Sequence, residues 1–120
     1  MIIVAFCTRT SKLLPRIVCR HFKHCAPIVP SGDASKTMVM YQFVHRNKIV
    51  PIPITARGLR TLRAHGWAVV CVAGVTPPPD LARACAPTCV AFTKRACGMR
   101  RARIQTPDAL YKYLRRLNVV

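Results

Sequence analysis

The hydrophobic positions of this chain come in short runs, each closed by turn residues, and the period of each run suggests an element. Ile2 to Cys7 is a continuous, β-branched apolar run, the pattern of a buried strand. From Lys12 to Arg20 the period lengthens: Leu13, Leu14, Ile17 and Val18 share one helical face, with Pro15 in the first turn where it costs little hydrogen bonding. His24 to Val29 reads as a second strand. Pro30 to Ser35 supplies turn chemistry, and Thr37 to His45 is a third strand, antiparallel to the second through that short connection. After Arg46-Asn47, Ile49 to Ile54 is extended, and Pro51 and Pro53 mark it as a sheet edge.

The second half is mostly helical. Thr55 can cap a helix that runs to His65 and stops at Gly66, with Leu59 and Leu62 inward and Arg57, Arg60 and Arg63 outward. Trp67 to Ala73 is the fifth strand. Val75 to Asp80 is a proline-rich extended connector, and Leu81 to Cys85 has room for one helical turn. Thr88 caps a helix closed by Gly98. Thr106, Pro107 and Asp108 combine an N-cap, a proline at the first helical position and a first-turn acid. They open a helix to Leu117 whose Leu110, Leu114 and Leu117 share a face.

Composition narrows the reading. With 120 residues, 52% of them hydrophobic, the chain suits one domain, 1–120, with a true core rather than disorder. The apolar N-terminus is short and lacks a basic flank, so it is a poor signal peptide, and no apolar run is long enough for a transmembrane helix. Twenty Lys and Arg face three acids, giving a formal net charge of +17. Such an excess favours a polyanionic or acidic partner: nucleic acid, anionic lipid, a cell-wall polymer or an acidic subunit. Seven cysteines, none in a C-x-x-C pair and several in apolar stretches such as that around Cys71, fit buried free thiols in a reduced, intracellular-type protein.

The sharpest chemical signal is Cys89, the first residue after the Thr88 cap. The opening N–H groups of a helix are unpaired and its dipole favours negative charge, so a thiol there is biased toward thiolate. An adjacent imidazole would complete an activated nucleophile. His24, at the head of a strand, is the first choice for it. A third polar group should orient the ring, and hairpin register puts Gln42 opposite His24, with Tyr41 or His45 as the partner if the register slips. Zinc is a competing use for Cys19, His21, His24 and Cys25, and for Cys85 with Cys89, but neither group has knuckle spacing, so no metal or other cofactor is expected. Lys94, Arg95, Arg100, Arg101, Arg103, Lys112, Arg115 and Arg116 crowd the C-terminal third, a face suited to phosphate contact without base reading. Phe92, Tyr111 and Tyr113 fit core or rim better than base stacking.

Three segments carry a family resemblance. Phe22 to Val29 resembles the histidine strand, 22–29, and Thr88 to Gly98 the cysteine helix, 88–97, of the circularly permuted, papain-like NlpC superfamily, which includes lecithin retinol acyltransferase-like enzymes. Thr106 to Leu114 is similar to the closing helix, 107–117, of small bacteriophage members. The resemblance covers roughly residues 10 to 117. It implies an α+β fold in which a small antiparallel β-sheet packs against helices, with Cys89 as nucleophile and His24 as base. It also implies amide, peptide or acyl substrates, often in peptidoglycan. The place of work it implies is a virion or the host cytoplasm. The extreme charge supports a different expectation, a catalytically inactive basic virion component (capsid, tail or adaptor) lying against acidic phage structural proteins or DNA. A free nucleic-acid-binding regulator is a third.

Overall fold

The structure, a computed structural model, describes residues 2–8, 22, 24–30, 37–44, 48–74, 78, 81, 88–99 and 103–117. Five strands form one antiparallel sheet: β1 (Ile2–Cys7), β2 (His24–Pro30), β3 (Met38–Val44), β4 (Lys48–Ile54) and β5 (Ala68–Val72), in the order β4-β3-β2-β1-β5. Among the described residues three helices accompany it: α1 (Ala56–Ala64), α2 (Cys89–Ala96) and α3 (Pro107–Leu117). This is an α+β arrangement. The helix expected over 12–20, the turn at 31–35, most of the 75–87 connector and His45 lie outside the described residues.

The two central strands explain the layering. β1 is buried along almost its whole length, because Ile2, Val4 and Phe6 point to one face while Ile3 and Ala5 point to the other. The first set joins Cys25, Val70 and Val72 beneath Val90, Leu110 and Leu114 of α2 and α3. The second joins Ala26, Ile28 and Met40, with Leu59 and Leu62 of α1 packed against them. The sheet is therefore sandwiched, and β1 can be apolar throughout. β4 is an edge strand, as its two prolines require, and it exposes Val50 and Ile52.

Both α1 and α2 open on a threonine and close on a glycine. Thr55 Oγ1 accepts from Gly58 N at 3.2 Å, and Thr88 Oγ1 accepts from Ala91 N at 3.0 Å. At the far ends, Gly66 (φ 92°) and Gly98 (φ 68°) take the left-handed conformation that a Cβ would strain. Trp67 N donates to Leu62 O and Met99 N donates to Lys94 O, completing two Schellman motifs. Trp67 is thus held by the end of α1, and β5 starts one residue later than expected, at Ala68. In α3, Asp108 accepts from the backbone N–H of Phe22 at 2.9 Å, which ties the helix start to the chain just ahead of β2. The Phe6, Phe22 and Tyr111 rings pack together beside that bond, with centroids 4.8 to 5.4 Å apart.

Two expectations are corrected. Leu117 is expected to share the apolar face of Leu110 and Leu114, yet it is 54% exposed while those two are buried. Cys71 was expected to be a buried thiol, yet it is exposed: β5 is the other edge strand, and its buried side chains are Val70 and Val72.

Candidate active site

The fold brings two distant parts of the sequence together. Cys89 is the first helical residue of α2, directly after its Thr88 cap. Val90, Phe92, Thr93 and Ala96 are buried, and they press α2 onto β2. The start of the helix therefore lies over the head of β2, where His24 and Cys25 sit. Cys89 is half-buried, and its sulfur is hydrogen-bonded by the Cys25 and His24 side chains and by the Cys25 backbone N–H.

These contacts decide the state of the thiol. The Cys25 thiol, the His24 hydrogen bond and the positive charge of the His24 ring outweigh the burial that opposes ionisation. Together they lower Cys89 from an ordinary 9.0 to about 4. Cys25 moves the other way. Burial, then the hydrogen bond it gives to Cys89 and the Cys89 charge, push its thiol well above the ordinary value. It remains a neutral donor, and its sulfur also lies 3.5 Å from the buried Thr93 hydroxyl. Cys89 and Cys25 thus form an unequal pair, one ionised and one protonated.

His24 is oriented from its far side. Gln42 Oε1 accepts a hydrogen bond from His24 Nε2 at 2.8 Å. An amide oxygen only accepts, so Nε2 carries the hydrogen and Nδ1 is left to exchange a proton with Cys89. The Gln42 amide is itself fixed, since its Nε2 donates to Met40 Sδ at 3.7 Å. Trp67 stands edge-on to the imidazole, with centroids 6.4 Å apart.

Cys89, His24 and Gln42 are therefore assembled in one place, though by a different register than expected. β2 and β3 pair Ile28 with Met40 and Val29 with Val39. Continued along the ladder, that register sets Gln42 opposite Ala26, two residues from His24. The two-residue slip preserves the face, and the amide reaches His24 diagonally. Tyr41 points to the other face, where it packs on Phe92 at 6.3 Å, and is not the imidazole's partner. Sequence reasoning missed Cys25 as a member of the site, along with Thr93 and Trp67. Only alternation along β2 hinted that Cys25 would face α2.

The basic residues of the C-terminal third differ in exposure. Lys94 is half-buried and donates to the Ile104 carbonyl at 2.7 Å, so it ties α2 to the next segment. Arg95, Arg103, Lys112, Arg115 and Arg116 are exposed, with Arg115 5.9 Å from the Tyr111 ring centroid, while Arg100 and Arg101 lie outside the described residues. Phe92 is fully buried and Tyr111 and Tyr113 are half-buried against the core. A cavity of about 580 Å³ runs along the side of α2 away from the sheet, lined by Pro78, Ala91, Lys94, Arg95, Gly98 and Met99. Among the described residues no group of three or more ligating side chains could hold a metal, and no helix is long and apolar enough to cross a membrane. Cys19, His21 and Cys85 of the zinc alternative lie outside those residues. Comparison with known proteins gives no match to this chain, whether among family models, curated proteins or solved structures.

Proposed function

We propose that the protein is a cysteine hydrolase of permuted papain-like type, of the kind phages carry, acting on amide, peptide or acyl bonds. The observation that carries this reading is the Cys89 sulfur held beside an imidazole whose opposite nitrogen is bound by Gln42. Nucleophile, base and orienting group stand in the relation acyl transfer needs. The chain order, histidine strand before cysteine helix, is the order the permuted family would have.

The chemistry follows from the geometry. The Cys89 thiolate attacks the substrate carbonyl carbon. Ala91 N–H is already taken by Thr88, so the developing oxyanion falls to the Cys89 and Val90 N–H groups at the head of α2. His24 gives its proton to the leaving group, and a thioester forms. Water then attacks the thioester, His24 accepts its proton, and Cys89 departs as thiolate. The exposed arginines near α2 and α3 suit an anionic substrate such as a cell-wall polymer.

Release of product from a panel of peptide, amide and ester substrates, measured for the wild type and for Cys89→Ala, tests the reading. Hydrolysis that is lost with Cys89 supports it, and equal activity in both proteins rejects it. The charge of +17 favours a second reading, a basic virion protein lying against acidic subunits or DNA. That reading predicts that Cys89→Ala leaves particle assembly and infectivity intact.

A further inference from the structure

Hydrolysis needs one cysteine at this site, and the site holds two. Cys25 is 1% exposed, and its sulfur rests against the face of α2 formed by Cys89 and Thr93, one helical turn apart. Cys89 packs on the same core cluster that contains Cys25 and Cys97. All three are free thiols. Only Cys89 is half-buried, so an oxidant from solvent meets it first.

We infer that Cys89 and Cys25 form a peroxide-responsive thiol pair, in which a hydroperoxide oxidises Cys89 to a sulfenic acid and Cys25 closes on it as a disulfide. In the first step the Cys89 thiolate attacks the terminal oxygen of the hydroperoxide. The O–O bond breaks, a sulfur–oxygen bond forms, and the departing alkoxide (or hydroxide) takes a proton from the His24 ring. Sulfur is oxidised and the peroxide is reduced. In the second step the Cys25 sulfur attacks the Cys89 sulfur. The new S–S bond replaces the sulfur–oxygen bond, and hydroxide leaves with the Cys25 proton as water. Two thiols and one hydroperoxide thus give one disulfide, one alcohol and one water.

The neighbourhood favours the second step. Cys25 is held protonated by burial, by its hydrogen bond to Cys89 and by the negative charge there. Conversion of Cys89 to an uncharged sulfenic acid removes that charge, so the step that creates the electrophile also eases ionisation of the attacking thiol. Thr93 remains as a hydrogen-bond partner for the Cys25 sulfur. The disulfide would consume the nucleophile reversibly and shield it from sulfinic acid. The inference needs the Cys89 thiolate but not the hydrolytic reading, so either can fail without the other.

The test treats the full chain with equimolar hydrogen peroxide at neutral pH, blocks free thiols, and maps linkages by mass spectrometry without reduction. The expected result is loss of two hydrogen masses with a Cys25–Cys89 crosslink accounting for most of the Cys89 consumed, reversed by a dithiol reductant. In Cys25→Ser, which keeps a hydroxyl donor in place, Cys89 should instead gain one oxygen and be trapped by dimedone. If that variant does not fold, the wild-type linkage map decides alone. Unreacted Cys89, direct passage of Cys89 to sulfinic acid with Cys25 still alkylatable, or a Cys25–Cys97 bridge would overturn the inference.

Discussion

Helix α2 carries a cysteine at each end, and the two thiols are shifted in opposite directions. Cys89, at its first position, is lowered to about 4, while Cys97, its C-cap, is raised to about 11. Both lie against the same apolar cluster. Burial raises Cys97, while at Cys89 the same influence is overcome by Cys25 and His24. Removal from water raises a thiol at both ends of the helix, and at Cys89 the donors from Cys25 and His24 reverse that effect. The helix dipole adds in the same direction, favouring negative charge at Cys89 and opposing it at Cys97.

Removing the donors should erase the contrast. Cys89→Ala should cost the largest effect, loss of hydrolysis by at least roughly 10³-fold, since the remaining groups cannot supply a nucleophile. His24→Ala comes next. Without the ring, Cys89 alkylation at pH 6 should fall by roughly 10- to 100-fold, as its titration moves up toward that of an ordinary thiol. Iodoacetamide labelling read by peptide mass measures this, and labelling unchanged from wild type would contradict the assigned contact. Gln42→Leu should separate orientation from ionisation. Turnover should drop by roughly 10- to 100-fold as the imidazole loses its register, while Cys89 labelling changes far less. Parallel losses in both readouts would assign Gln42 to the thiol rather than to the ring. The smallest effect belongs to the other end of α2. Cys97→Ala should lower thermal stability by about 1 kcal/mol through lost packing and leave Cys89 labelling unaltered.

Much of this arrangement could be read from the chain, and the parts that could not share a cause. Thr55, Thr88 and Thr106 announced three helix starts, and Gly66 and Gly98 two helix ends, because caps are local chemistry. The strands were legible for the same reason. Cys89 at a helix start was local too, and His24 at a strand head followed from it. Gln42 was reached through a register two residues out, and survived because an even slip keeps a side chain on its face. Cys25 and Trp67 were not legible as neighbours of the site. Cys25 matters because α2 crosses β2, and Trp67 because the Schellman end of α1 delivers it beside the imidazole. Leu117 and Cys71 were misread because helical or strand period does not reveal where the covering layer ends.

The most direct test of the account is the pH dependence of Cys89 alkylation in the wild-type protein. A thiol lowered to about 4 is already thiolate at pH 5, so its rate should be flat from about pH 5 to 8 and fall only as pH drops through about 4. A rate that climbs tenfold per pH unit across that range, with its midpoint near the ordinary thiol value of 9.0, would contradict it.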